Sequence, residues 1–231
     1  MTDKEYLDKI STIEIYAEIL LGILRYTPVK NRYDVNKFKT ELTKNLKFQN
    51  ETDFELLRAC IDLIEDSQYA INEVYENGLI TKPESNGEMY LRLYGVLNAL
   101  YLQQGAVIDL IRLFNLSNQK EKKLCLKSLK IIQIRNKIAS HATSYKIPNT
   151  EKDIDFYKLA QSTIDKWGKS LLIVGKDDSE EFDLIPNMKE FTNEIEKILN
   201  DIIEKELYSR SFKNEHFEWL EFRYQFIKNY R

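Results

Sequence analysis

The chain has 231 residues, 43% of them hydrophobic and 31% charged, and these proportions are typical of folded proteins and exclude intrinsic disorder. Its 34 lysines and arginines nearly balance 37 aspartates and glutamates, so a net charge of -3 excludes recognition of a partner through overall charge alone. Four prolines and seven glycines are too few for the turns of an all-β domain of this length, which favours long helices.

The first predicted element is a helix that starts at a capping box, Thr2 with Glu5, and runs to about Arg25. Pro28 follows closely, and because proline disrupts a helix interior it marks the end of this element. A short helix is predicted next, over residues 34–46.

Two further capping boxes, at residues 52–55 and 85–88, each open a long helix. The first helix ends at Gly78, a residue type that favours the left-handed conformation after a helix. The second runs over residues 89–114, is apolar on most of its circumference and is predicted to be the centre of the core. Its amides are predicted to be exposed or satisfied in the core, with one or two facing a functional cleft: Asn98, Gln103 and Gln104.

Residues 118–140 predict a basic amphipathic helix. On a helical wheel, at about 100° per residue, five lysines share one stripe and apolar side chains fill the neighbouring arc. The stripe consists of Lys120, Lys123, Lys127, Lys130 and Lys137, and the arc of Leu124, Cys125, Ile131, Ile132 and Ala139. Arg135 projects into the apolar arc, where a cation must extend to solvent, pair with a carboxylate, or line a cleft that binds an anion.

Beyond this helix the pattern changes to two strands, 170–174 and 181–185, joined by a turn-rich loop. A helix is predicted from Pro186 to about Leu207, and an aromatic helix closes the chain. We therefore expect an all-α (mainly) fold, a helical bundle with a small inserted β-hairpin or meander around residues 155–185.

Cys60 and Cys125 both fall in apolar helical patterns and are predicted to be reduced core residues. The N-terminus lacks the pattern of a signal peptide, and no apolar run reaches the roughly 20 residues of a membrane span, so we expect a cytoplasmic protein without membrane contact. Two widely separated histidines and two helical cysteines form no zinc or iron pattern, and no glycine-rich phosphate loop is present. No metal or cofactor is predicted.

The seven residues from Arg135 to His141, RNKIASH, close the basic helix. They resemble the signature of HEPN domains, in which Arg is followed after four to six residues by His, often with a polar residue directly after Arg. Those domains are helical bundles that commonly pair so that two motifs share one cleft. Many are metal-independent endoribonucleases of toxin–antitoxin, abortive-infection and other defence systems, and others are non-catalytic. The resemblance implies one helical domain, 1–231, with a HEPN-like core over about 85–210 and the N-terminal helices, 1–77, packed on it.

The resemblance implies a catalytic site formed by Arg135, Asn136 and His141. A histidine near its ordinary pKa of about 6.5 can act as acid or base at neutral pH, and arginine offers a permanent charge and a planar fork for phosphate oxygens. Asn136 would orient a phosphate or the imidazole. In an uninterrupted helix Arg135 and His141 would diverge by about 120°, so either the last turn loosens before His141 or a second subunit completes the site.

RNA is the substrate that this chemistry implies, with its backbone held by Lys127, Lys130 and Lys137. Tyr145, just beyond the motif, would stack a base or supply a hydroxyl group. We also expect a homodimer, and an antitoxin or other protein as a partner.

Other interpretations stay open at this point. The chain is alternatively a non-catalytic module that binds nucleotide, RNA or a partner protein, or a scaffold in which Arg135 pairs with a buried carboxylate such as Asp109. His141 is alternatively an ordinary residue at a helix C-terminus, and the lysine stripe a solvated face. The acidic pairs 177–178 and 180–181 are predicted to be solvated charges, and His216 to pack in the core or at its rim.

Overall fold

The computed structural model describes residues 2–30, 33–50, 52–82, 85–140, 145–146 and 154–231. Within them the chain is mainly helical with a small antiparallel sheet, which confirms the predicted fold class. The helices are α1 Asp3–Leu7, α2 Thr12–Tyr26, α3 Val35–Leu46, α4 Asp53–Asn77, α5 Asn86–Leu113, α6 Gln119–Ser128, α7 Lys130–Arg135, α8 Leu184–Ser209 and α9 Asn214–Tyr230. The strands are β1 Tyr145–Lys146, β2 Ile154–Asp155, β3 Lys158–Leu159, β4 Leu171–Val174 and β5 Ser179–Phe182.

The N-terminal segment forms two helices where one was predicted. The capping box of Thr2 and Glu5 is present, but α1 ends at Leu7. A second capping box, Ser11 with Glu14, then starts α2. A box satisfies two backbone N–H groups at a helix start, so this second box stabilises a new start inside an otherwise continuous apolar pattern.

The predicted meander is present as β3, β4 and β5, which pair antiparallel in that order. The loop after Val174 closes with a hydrogen bond from Gly175 N–H to the Asp178 carbonyl, and β5 begins at Ser179 rather than at residue 181. The predicted strand 181–185 is therefore placed too late in the sequence. Leu184 instead begins α8, and Pro186 is accommodated in its first turn, where backbone N–H groups have no helical partner.

The chain divides into two compact units, one comprising residues Met1–Gln68, Gln103–Lys123 and Ile195–Arg231, and the other residues Tyr69–Leu102 and Leu124–Glu194. The first, unit 1, has a core of α2, α3, α4, α8 and α9 side chains. Within it α2 and α9 approach closely, because a Cβ atom at Gly22 would lie 2.8 Å from a Leu220 methyl group.

Unit 2 contains the sheet and the motif. Many of its fully buried side chains come from α5, α7, the sheet and the start of α8, including Leu93, Leu97, Leu100, Ile134, Leu171, Met188 and Phe191. Gly78, with a φ of +70°, follows α4, and a Cβ atom there would lie 2.4 Å from the Lys166 carbonyl oxygen. Only glycine fits this turn, which fixes α4 against the segment before β4. In the described part of the chain, no helix combines the length and apolar character needed to cross a membrane.

Candidate functional site

The predicted basic helix is interrupted at Leu129, which has extended backbone angles (φ −56°, ψ 133°) and separates α6 from α7. The Leu129 side chain is buried, and its carbonyl accepts hydrogen bonds from Ile132 and Gln133 that start α7. The Gln133 side chain donates to the Ser128 carbonyl at 3.0 Å and so satisfies the end of α6. The prediction of a single lysine stripe is therefore wrong, because one helical wheel describes side-chain directions only within an uninterrupted helix.

The two halves bury different faces as a result. Ile131, Ile132 and Ile134 of α7 are buried, whereas Leu124 of α6 is 66% exposed. Cys125 is also exposed, contrary to the prediction of a core cysteine, and its Sγ lies 3.7 Å from a Glu194 carboxylate oxygen. Cys60 is buried as predicted, and desolvation raises the pKa of its thiol to about 12.

The last turn of the motif helix is a π-helix, Asn136–Ser140. Its hydrogen bonds join residues five apart rather than four, so the turn is wider than an α-turn. A wider last turn agrees with one of the two alternatives that the sequence leaves open, a loosened turn or a second subunit. His141 itself lies outside the described residues, and of Tyr145 only the backbone is described, in β1, where it pairs with Asp155 of β2.

Arg135, the last residue of α7, is half-buried and surrounded by uncharged groups. Its guanidinium lies over the Tyr101 ring of α5, with Cζ 3.8 Å from the ring centroid. One terminal nitrogen donates to the Asn136 side-chain oxygen at 3.1 Å, and the other to the Asn98 side-chain oxygen at 3.4 Å. Of the three amide side chains that the sequence analysis names in α5, Asn98 is the one that contacts Arg135.

These contacts orient the guanidinium without neutralising it, since amide oxygens and an aromatic face carry no net charge. None of the ion pairs among the described residues involves Arg135, so the described part of the chain offers no support for pairing with a buried carboxylate such as Asp109. The Nε atom is buried without a hydrogen-bond partner. Each terminal nitrogen carries two N–H groups, and one on each remains to donate to an anion.

The lysines predicted to bind nucleic acid differ in their surroundings. Lys127 of α6 is exposed, with no ion pair among the described residues. Lys137 pairs with the Glu180 carboxylate of β5 at 2.6 Å and lies over the Tyr157 ring, and Lys130 is 3.6 Å from the same carboxylate. Glu180 is thus not the solvated charge that the sequence predicted.

Burial and the two neighbouring lysines act on the pKa of Glu180 in opposite directions. Burial raises its pKa, but the hydrogen bond and charge of Lys137 and the charge of Lys130 lower it by more, so its pKa lies below the ordinary value. Tyr101 and Glu180 are the residues that sequence reasoning missed. An aromatic residue one helical turn after the singled-out Asn98 is the only signal that pointed to Tyr101.

The part of the chain that the structure describes contains no group of three or more His, Cys, Asp or Glu side chains arranged to hold a metal ion. No protein-family model, curated protein or solved structure matches this chain. Function must therefore be argued from the site.

Proposed function

We propose that the chain is a metal-independent endoribonuclease of the HEPN type, acting in the cytoplasm as part of a bacterial defence or toxin–antitoxin system. The observation that carries this proposal is the Arg135 guanidinium, which is oriented by Tyr101, Asn98 and Asn136 and retains its full positive charge. A fully buried structural arginine is usually paired, as Arg223 is with Glu18, whereas half-buried Arg135 has only uncharged contacts among the described residues. An arginine held only by neutral groups is suited to an anion that arrives from outside.

The phosphodiester of RNA fits this arrangement. Cleavage without a metal needs a base that removes the 2′-OH proton as the 2′-oxygen attacks phosphorus, and an acid that protonates the departing 5′-oxygen. The products are a 2′,3′-cyclic phosphate and a 5′-hydroxyl end. We assign the proton transfers to His141, and to Arg135 the stabilisation of the negative charge that builds up on the phosphoryl oxygens.

A single imidazole can act as base and as acid only one after the other. The proposal therefore includes a homodimer in which the two motifs share one cleft and supply two imidazoles. The π-turn supports a role for this helix end, since such turns are frequent at functional sites. Lys127 is available to hold RNA as it stands, whereas Lys130 and Lys137 must first exchange Glu180 for a phosphate. An antitoxin or other protein partner would be one that blocks this cleft.

The decisive experiment measures cleavage of varied RNAs by purified protein in EDTA, for the wild type, Arg135→Ala and His141→Ala. We expect each substitution to lower the rate about 10²–10³-fold, the loss typical when one transition-state donor is removed. Matched controls are Arg58→Ala, an exposed arginine of α4, and His216→Gln, at the only other histidine. Both should cleave like the wild type.

Two results together would overturn the proposal: the purified wild-type protein leaves RNA intact, and both motif variants behave in cells as the wild type does. Toxicity on expression is measured in parallel, because a toxin without its trigger is silent in vitro.

A second candidate is a non-catalytic module that binds nucleotide, RNA or a protein. The observation that favours it is the neutralisation of Lys130 and Lys137 by Glu180, which leaves less free positive charge beside Arg135 than a nuclease groove usually has. This alternative predicts saturable RNA binding that is lost in Arg135→Ala but no cleavage product in any condition.

A further inference from the structure

A second basic cluster lies within unit 1. It surrounds a cavity of about 780 Å³ formed by the segment after α2, by α3 and by the start of α9. The residues that matter for its chemistry are Tyr26, Lys30, Glu41, Lys44, Lys213 and His216. We refer to it as the lysine cavity.

Lys30, Lys44 and Lys213 come from these three separate segments and converge on one space. Each is exposed, and within the described residues none of them takes part in an ion pair. Glu41 is the single carboxylate of the lining, and one of its oxygens accepts the Lys30 backbone N–H at 2.7 Å. Among the described residues, the lining therefore carries more positive than negative charge.

In two neighbouring cavities of unit 1, three of the four lining cations are engaged, and the exposed Lys47 is the exception. Lys122 pairs with Asp201 at 2.5 Å, and Lys205 donates to the carbonyls of Phe114 and Asn115 at the end of α5. Arg210 pairs with Glu206 and donates to the Asn45 carbonyl at 2.6 Å. Lys205 and Arg210 thus stabilise the ends of α5 and α3, whereas no contact of this kind among the described residues involves the three lysines of the lysine cavity.

The start of α9 adds to the positive potential. Lys213 is its N-cap residue and makes no side-chain capping bond, so no side chain at the N-cap satisfies the first amides of this 17-residue helix. Glu215 opposes this effect from the first turn, but its side chain is 75% exposed and does not line the cavity. His216 stacks on Tyr26, with ring centroids 4.1 Å apart, and gives the cavity an aromatic wall.

We propose that the lysine cavity binds a compact polyphosphate, that is, an anion with two or more linked phosphate groups. Ammonium groups on flexible stems adapt to phosphate oxygens, and three of them match the charge of such a ligand. The cavity volume is in the range of small-ligand sites. Its concave form favours a compact ligand over an extended nucleic-acid strand, which needs a continuous groove.

Isothermal titration calorimetry of the full chain with inorganic tripolyphosphate tests the proposal at low and at physiological salt. The cavity variant is Lys30→Gln/Lys44→Gln/Lys213→Gln. The matched control is Lys158→Gln/Lys169→Gln/Lys189→Gln, which removes the same charge from exposed lysines of unit 2. Circular dichroism and thermal unfolding establish that both variants fold.

We expect saturable binding that weakens at least about tenfold in the cavity variant and less than about twofold in the control. Inorganic phosphate should bind more weakly than tripolyphosphate, because it engages fewer ammonium groups. Equal losses in both variants would show a diffuse electrostatic effect and overturn the proposal, as would absence of binding.

A single-stranded oligoribonucleotide is titrated in parallel. Weakened RNA binding in the cavity variant together with unchanged tripolyphosphate binding would also overturn the proposal, because the lysines would then belong to an RNA path. The RNA-cleavage rate of the cavity variant is expected to equal that of the wild type, so this test is independent of the proposed activity.

Discussion

Arg135 in unit 2 and Arg223 in unit 1 make the same aromatic contact, each guanidinium lying 3.7–3.8 Å from the centroid of a ring, Tyr101 or Trp219. They differ in their hydrogen-bond acceptors. Arg223 donates from Nε to the Glu18 carboxylate at 3.0 Å and is almost fully buried, whereas Arg135 donates to two amide oxygens and is half-buried.

This difference separates a structural arginine from one that is available to a ligand. The charge of Arg223 is balanced by the Glu18 carboxylate. Glu18 also accepts a hydrogen bond from the Tyr6 hydroxyl, which raises the pKa of Tyr6 to about 12. The charge of Arg135 is oriented but not balanced. Substitutions at the two positions should therefore affect different properties.

The largest expected contrast is in paired alanine substitutions. Arg223→Ala should lower the free energy of unfolding by about 2–3 kcal/mol, because Glu18 loses its charged partner, and should leave the RNA-cleavage rate per folded molecule unchanged. Arg135→Ala should lower that free energy by less than about 1 kcal/mol, the cost of a cation–π contact near the surface, while it slows cleavage about 10²–10³-fold. Urea unfolding and cleavage assays on both variants measure this. A stability loss of equal size at both positions would contradict the distinction.

An intermediate effect is expected at Tyr101, which we regard as a positioning residue for Arg135. Tyr101→Leu removes the aromatic face and should slow RNA cleavage about fivefold, the equivalent of a cation–π contact of about 1 kcal/mol. Tyr101→Phe keeps the face and should restore the wild-type rate. If Tyr101→Phe cleaves as slowly as Tyr101→Leu, the Tyr101 hydroxyl rather than the aromatic face supports cleavage. The comparison with the aromatic contact of Arg223 would then not hold.

The smallest effect is expected at Glu180. Glu180→Gln removes the carboxylate partner of Lys130 and Lys137, although Lys130 keeps its hydrogen bond to the Glu181 carbonyl. It should tighten RNA binding about two- to threefold, with a steeper salt dependence because more lysines exchange counterions for phosphates. Fluorescence anisotropy with labelled RNA at several salt concentrations measures both quantities. Asp177→Asn, in the loop before β5, removes the same charge and serves as the control. Weaker RNA binding in Glu180→Gln would contradict the inference that this carboxylate competes with RNA.

The same carboxylate gives a pH dependence with a defined sign. Its pKa is lower in the folded than in the unfolded chain, so its contribution to stability is present above the ordinary carboxyl pKa and is lost as pH falls through the lowered value. The difference in stability between the wild type and Glu180→Gln should therefore disappear in acid.

The sequence predicted the elements that depend on local signals. The capping boxes located the starts of α4 and α5, Gly78 located the end of α4, and the turn-rich loop after Val174 located the hairpin. The early end of α1 was missed although Ser11 and Glu14 form a readable capping box, because the apolar period continues through them. The sequence predicts a helix from Pro186, but α8 begins two residues earlier, at Leu184, and its first turn contains the proline.

The break at Leu129 had no local signal, since leucine is a good helix former and no proline or glycine stands nearby. Burial of Leu129 in unit 2 decides it, and burial depends on tertiary packing. The same limit applies to the site. The sequence indicated that Arg135 lies among apolar residues, but its contacts with Asn98 and Tyr101 depend on the packing of α7 against α5, which no periodicity within one helix specifies.

The π-turn after Arg135 also bears on sequence length. A helix can take up one more residue in its last turn by closing i to i+5 instead of i to i+4, without displacing either flank. A change between α- and π-winding at this turn would therefore accommodate a difference of one residue in the chain that follows Arg135. Insertions and deletions here are thus expected to change the winding of one turn while Arg135 stays on its aromatic support.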